Sequence, residues 1–296
     1  MYPELCVKKT MILITGATGN LGSKVIEALL KKVAASEIAA LVRDENKAQD
    51  LKEKGISIRV GDYDSKGALK EAMKGVDKVL LISGGRADNG LQQHQNVVDA
   101  AKAAGVGTIA YTSRCLQNPD SLANELMKRH FLTEDYILST GMNYIFFRNI
   151  LYMDAMVTFL GKNVLETGIF LPAGEGRASY ALRSDQAEAI GNVLATEGHG
   201  SRVYNFTNTE TYSFYDVASA LSKLSGRTVS YMPVDTATFQ HKAADLGIPA
   251  FAVDVVNAFI TDIKNGQESK VSMDMEIALG RKPACLMEGL KLLLGL

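Results

Sequence analysis

Cysteine is scarce in this chain, and the three present, Cys6, Cys115 and Cys285, are widely separated. They form no CxxC or Cys/His spacing of the kind that holds a metal, and an odd, scattered set does not build a disulfide framework. Reduced thiols and a cytoplasmic location are therefore expected, with no metal site. An excess of charge of either sign is also missing: Lys plus Arg number 32 against 33 for Asp plus Glu, a formal net charge of -1. Without a basic field, nucleic acid is not an expected partner. No apolar run approaches the roughly 18 residues of a membrane helix, so no membrane span is expected. The opening "MYPELCVKKTMILI" has too short an apolar stretch for a signal peptide, and residues 1–10 read as an extension ahead of the first strand. Prolines number six, and no repeats or low-complexity tracts occur.

What the chain does have is length, 296 residues, and 47% apolar residues, enough for a sizeable core. Short β-rich runs recur: "MILIT" (11–15), "IAALV" (38–42), "ISIRV" (56–60), "KVLLI" (78–82), "TIAYT" (108–112) and "NYIFF" (143–147). Between them lie stretches of helical period, such as Leu21, Val25, Ile26, Leu29 and Leu30. Alternation of this kind predicts an α/β fold, a doubly wound parallel sheet with helices on both faces. After Arg148 the rhythm loosens. Residues 11–152 are expected to form one domain and 153–296 a smaller lobe over the open end of the sheet, with part of 178–210, around "VYNFT" (203–207), returning to the first.

Directly after the first predicted strand comes "TGATGNLG", with Gly16, Gly19 and Gly22 three residues apart and a helical stretch behind them. In that context the glycines form a dinucleotide-binding turn. Gly16 permits the tight turn, Gly19 lets a pyrophosphate approach the backbone, and Gly22 lets the helix pack closely on the strand. Thr18, Asn20 and Leu21 complete the loop, and the helix N-terminus offers its unpaired N–H groups to the phosphates. A plain strand-to-helix turn is the alternative.

The residue after the second strand selects the dinucleotide. Arg43, in "ALVRDENK", stands 21 positions after Gly22, where an acid would bind the ribose hydroxyl of NAD and a base the 2'-phosphate of NADP. A guanidinium grips a phosphate with two hydrogen bonds, so NADPH is the expected cofactor; the adjoining Asp44 keeps NADH open. Two further strand ends face the same way. Asp62, in "GDYD", is placed to cap the adenine, and Ser83 and Gly84, in "ISGG", to line the path toward the nicotinamide, although each is also an ordinary turn residue.

"TGATGNLG", "LVRD", "GDY", "LLISG", "QHQNVVDAAKAAGV", "IAYTS", "HFLTE" and "RNILY" together resemble the NmrA-like group of atypical short-chain dehydrogenase/reductases, and within it the quinone- and dye-reducing members. The likeness runs from Met11 to about Gly226. It implies NADPH binding by a Rossmann core with a small C-terminal lobe, and reduction of quinone-like or dye-like acceptors in the cleft between them. The loop "GGRADNGLQQ" (84–93) departs from those members, which leaves the acceptor open.

Most short-chain dehydrogenases work through Tyr-x-x-x-Lys, whose ammonium lowers the tyrosine pKa so that the phenol can carry a proton. None of the eleven tyrosines here has lysine four residues on; Tyr144 with Arg148 comes nearest. Alcohol oxidation and nucleotide-sugar epimerisation are thereby disfavoured. A quinone takes hydride readily and needs only positioning and one or two hydrogen bonds to its developing oxyanion. Asn149 and Tyr152, similar to the family's "RNxxY" segment, are the candidates, Asn149 as amide donor and Tyr152 as wall or donor; for Asn149 a helix cap is the competing role. His130 and Glu134, four residues apart on one helix face, suit a structural pair better than catalysis. His94 suits packing, and His199 and His241 carry no signal. Tyr111, Thr112 and Ser113 either border the nicotinamide or satisfy backbone groups. A cofactor-binding redox sensor without turnover is the second functional class. The apolar stripe of "FAVDVVNAFITDIKNGQ" (251–267) serves either a homodimer or its own core. Nothing points to a bound flavin.

Overall fold

The computed structural model describes residues 10–84, 89–198 and 200–296. Most of residues 1–10, the centre of the 84–93 loop and His199 thus lie outside the described residues. Six strands fall where the apolar runs predict them: β1 (Ile12–Ile14), β2 (Ile38–Val42), β3 (Ser57–Val60), β4 (Lys78–Leu81), β5 (Thr108–Arg114) and β6 (Asn143–Asn149). A seventh, Arg202–Phe206, covers most of "VYNFT" and lies beside β6. The order is β3-β2-β1-β4-β5-β6 and then Arg202–Phe206, in a parallel sheet with flanking helices. The order of the first six is that of the dinucleotide-binding doubly wound fold, which reverses between β1 and β4. Register is set where β1 is held on both sides, Ile12 opposite Ile38 and Lys78, Ile14 opposite Ala40 and Leu80. Every residue of β1 and β2 is buried, as expected of strands covered on both faces.

The chain divides into two compact units that interleave in sequence. One holds residues up to Thr112, Leu132–Phe147 and Ile190–Val203; the other holds Ser113–Phe131, Arg148–Ala189 and Tyr204–Leu296. The division thus enters β5 and β6 in mid-strand.

In the first unit the core gathers Leu13, Leu41, Val79, Leu81, Ile109 and Phe146 from the strands and Leu69, Val97, Val98 and Ile137 from the helices. Gly191 shows how closely that unit packs: a β-carbon there would come within 2.7 Å of the Ala28 side chain.

The second unit has its own core, built on Met153, Met156, Tyr180, Phe214, Leu221, Ile260 and Ile263. The stripe of the helix Ala250–Lys264 therefore spends Ile260 and Ile263 inside its own unit. The helix Phe214–Ser225 opens with a reciprocal cap, in which the Asp216 amide donates to Ser213 Oγ (3.2 Å) and the Ser213 amide to Asp216 Oδ2 (2.8 Å). Desolvation works against the Asp216 carboxylate, but the Ser213 bonds and Arg177 prevail and hold its pKa below the usual value. Its stabilising contribution is thus present above the ordinary carboxylate pKa and lost as pH falls through the lowered one. Ser213→Ala is expected to cost about 1 kcal/mol in urea unfolding at neutral pH. The deficit should shrink at acid pH.

Candidate functional site

The first unit presents the glycine loop at the carboxyl end of β1. The chain turns at Gly16, whose φ of +57° suits glycine, and the Gly19 amide closes the turn onto the Gly16 carbonyl at 2.9 Å. A helix, α1 (Gly22–Leu29), then begins with no side-chain cap and no acidic residue in its first turn. Its N-terminus is therefore not neutralised by side chains of its own first turn. A β-carbon on Gly22 would lie 2.3 Å from the Gly16 carbonyl oxygen, so α1 approaches the turn as closely as glycine allows. Gly16, Thr18, Gly19 and Asn20 are exposed along the outer edge, while Leu21 and Gly22 are buried beneath. A cradle lined by backbone, with a bare helix N-terminus behind it, fits a pyrophosphate.

Arg43 follows β2 directly and is exposed, and among the described residues it enters no ion pair. Asp44 beside it accepts the Asn46 amide at 3.0 Å and caps the short turn Glu45–Ala48. The acid next to Arg43 is thus committed to its own loop while the guanidinium stands clear, which fits a 2'-phosphate better than a bare ribose. Asp62, exposed after β3, likewise uses Oδ1 for the amides of Asp64 (3.0 Å) and Ser65 (2.8 Å). Its turn role is plain. Past β4, the Ser83 amide donates to Thr112 Oγ1 at 3.0 Å, and Gly84 packs beside the Tyr63 ring.

Tyr63 is the residue that sequence reading passed over, one position beyond Asp62. Its hydroxyl lies 2.5 Å from Thr15 Oγ1 and 2.9 Å from the Ile82 carbonyl oxygen, and the Asn96 amide donates to its backbone oxygen at 2.9 Å. Thr15 in turn donates to the Leu80 carbonyl and accepts the Ile82 amide. Tyr63 therefore ties together the loops leaving β1, β3 and β4. Burial drives its pKa up, opposed by the Thr15 bond and the Arg43 charge, so it remains a neutral phenol. Tyr111 is fully buried with its ring 5.5 Å from that of His94, whose Nδ1 meets Thr133 Oγ1 at 2.8 Å. Both are buried, as are His130 and Glu134 on the helix Glu125–Ser139.

In the second unit Asn149 is the last residue of β6 and is 2% exposed. It does not cap the next helix, Met153–Leu160, whose N-cap is Tyr152 without a side-chain bond. Both polar atoms of its amide lack a partner in hydrogen-bond geometry, with the Tyr152 hydroxyl as a near polar neighbour. The Arg183 guanidinium lies over the Tyr152 ring, 4.7 Å from its centroid, and is held by Asp154 at 3.0 Å. Desolvation raises the Tyr152 pKa against the opposing charges of Arg114 and Arg183, so the phenol keeps its proton and can donate. Below these residues runs a buried ion pair, Arg114 with Glu268, whose second oxygen takes the Leu151 amide at 3.3 Å.

Among the described residues no group of three or more His, Cys, Asp and Glu is arranged to hold a metal, and no helix is long and apolar enough to cross a membrane. Of known proteins, quinone oxidoreductase 2 of Escherichia coli is 39% identical over 247 residues, 83% of this chain and 85% of that protein. An NAD(P)H azoreductase of Xenophilus azovorans is 29% identical over the same shares. The solved triphenylmethane reductase of Citrobacter sp. in complex with NADP(H) superposes with a TM-score of 0.90 at 37% identity, covering 95% of this chain and 99% of that one. The E. coli quinone oxidoreductase with NADPH gives 0.90 at 35%, covering 96% and 99%. Residues 8–278 match the model of the NmrA-like family, and the chain belongs to that family.

Proposed function

We propose that this protein is an NAD(P)H-dependent oxidoreductase that transfers hydride from NADPH to a quinone-like or dye-like acceptor. The observation that carries this is the backbone cradle of Gly16, Gly19 and Gly22 with Arg43 standing free at the next strand end. It is supported by relatives that are named quinone oxidoreductase and azoreductase and by neighbours solved with NADP(H). When bound, NADPH supplies the hydride. The glycine loop, with Thr18, Asn20 and Leu21, holds the pyrophosphate through backbone N–H groups. Arg43 takes the 2'-phosphate and sets the preference over NADH. Asp62 lies at the adenine end, and Ser83 and Gly84 line the nicotinamide end.

Asn149 and Tyr152 receive the acceptor. The Asn149 amide is a buried donor beside the Tyr152 hydroxyl, and the Tyr152 phenol, kept protonated, is a second donor. Both favour the negative charge that grows on a quinone oxygen as hydride arrives, and the proton that completes the hydroquinone comes from solvent. No side-chain base is needed, in keeping with the missing Tyr-x-x-x-Lys. The acceptor is a small molecule, and the compartment is the cytoplasm, where Cys115 and Cys285 stay as free thiols. No second copy is required for this chemistry.

Asn149→Ala tests the acceptor site. It is expected to lower kcat for quinone reduction about tenfold, the worth of one hydrogen bond, while leaving the Kd for NADPH within twofold. An unchanged kcat would remove Asn149 from the site.

A further inference from the structure

The acceptor site carries more polarised groups than hydride transfer to a quinone requires. Arg114 ends β5 and is 7% exposed. The Cys115 amide that follows it donates to the Asn149 backbone oxygen at 3.0 Å, which brings the end of β5 against the end of β6. Glu268, the carboxylate that grips Arg114, also takes the amide of Leu151, the residue before Tyr152. Through Cys115 and Glu268 the end of β5 carrying Arg114 is thus held against the segment Asn149–Tyr152.

The grip leaves Arg114 Nε buried and without a partner, and Ser113 Oγ and both polar atoms of Asn149 share that condition. Buried groups left unpaired where the ends of β5 and β6 meet mark a place where a ligand or a water completes the bonding. Arg183 adds a second guanidinium over the Tyr152 ring. Arg114, paired with Glu268, and Arg183, paired with Asp154, each act on the Tyr152 hydroxyl more strongly than Asp154 does.

Resting on the function proposed above, we infer that Arg114 is a specificity-determining residue that makes the acceptor site select neutral or anionic acceptors, whose reduction builds an oxyanion, over cationic dyes. A neutral quinone gains negative charge on the way to the transition state and is drawn toward the guanidinium. A cationic dye brings a positive charge into the same field and retains part of it at the transition state. Since kcat/KM runs from the free acceptor to the transition state, the field raises it for the first and lowers it for the second.

The test compares Glu268→Gln, which keeps the Arg114 charge, with the double variant Arg114→Gln/Glu268→Gln, which removes both charges of the pair. For each, kcat/KM is measured with 1,4-benzoquinone and with malachite green, a cationic triphenylmethane dye, at saturating NADPH. The quinone-to-dye ratio is expected to fall about tenfold in the double variant relative to Glu268→Gln. Equal loss for both acceptors, or a ratio unchanged within threefold, overturns the assignment, because a structural role would not distinguish them.

A second readout needs no turnover. Bound 4-nitrophenol, a mimic of the developing phenolate, is expected to ionise at lower pH on Glu268→Gln than on the double variant. Absence of any difference between the variants overturns the role of Arg114. If the wild type reduces neither acceptor, the proposed function fails, and the phenol titration still judges Arg114 by itself.

Discussion

Gly22→Ala is expected to weaken NADPH binding at least a hundredfold, about 3 kcal/mol, and to lower thermal stability by several degrees. The atoms that a new β-carbon would meet are all backbone: the Gly16 carbonyl oxygen at 2.3 Å, its carbon at 2.9 Å and the Ala17 α-carbon at 3.0 Å. None can rotate aside, so either the turn or α1 must shift, and either shift opens the cradle. Gly19→Ala separates the two consequences. Its β-carbon would meet the Gly16 oxygen at 3.1 Å, a contact that a small adjustment relieves. Stability should therefore survive in Gly19→Ala while cofactor affinity falls, because the added methyl occupies the approach of the pyrophosphate. Calorimetric titration with NADPH beside a thermal melt checks both variants. Full NADPH affinity in Gly22→Ala would contradict the cradle.

Arg43→Ala is expected to reduce the preference for NADPH over NADH about a hundredfold, chiefly through KM for NADPH, with KM for NADH nearly unchanged. The magnitude follows from two charge-assisted hydrogen bonds to one phosphate, about 1.5 kcal/mol each. Arg43 is free to make them because among the described residues it has no ion-pair partner, whereas Asp44 spends its carboxylate on the Asn46 amide. Parallel steady-state kinetics with the two nucleotides measure the effect. An equal rise in both KM values would place Arg43 elsewhere than at the 2'-phosphate.

How much of this was legible in the sequence depends on whether the physics was local. The strands were, since runs such as "IAALV" are apolar throughout and bury every residue, and their spacing by helical stretches already implied a parallel sheet. The glycine turn was, because the contacts that require glycine at positions 19 and 22 lie within seven residues of chain. The return of Arg202–Phe206 to the sheet was visible only as a β-rich run, since pairing with β6 joins residues far apart in sequence. Tyr63 was missed for the same reason. Nothing in "GDYD" reveals that its hydroxyl will reach Thr15, 48 residues earlier, and Ile82, 19 residues later. The pairing of Arg114 with Glu268 across 154 residues is more remote still, and two charged residues in unrelated segments carry no pattern that period or spacing can detect. Asn149 shows the converse case. A helix cap and an acceptor contact were equally compatible with "RNILYMD", and only the cap is removed by where β6 ends and the next helix begins, with Tyr152 at the cap position.

The missing Tyr-x-x-x-Lys makes sense in this setting. A short-chain dehydrogenase acting on an alcohol needs a phenol of lowered pKa, whereas the Tyr152 phenol here is raised by desolvation and stays protonated. A donor that never gives up its proton is suited to an acceptor whose product oxyanion is delocalised and is protonated by water.

The most direct test is the initial rate of NADPH and NADH oxidation by the purified wild-type protein, with and without 1,4-benzoquinone. Quinone-dependent oxidation that is faster with NADPH than with NADH is the predicted result. Saturable NADPH binding with no oxidation on any acceptor would contradict the account and make the protein a sensor of its cofactor.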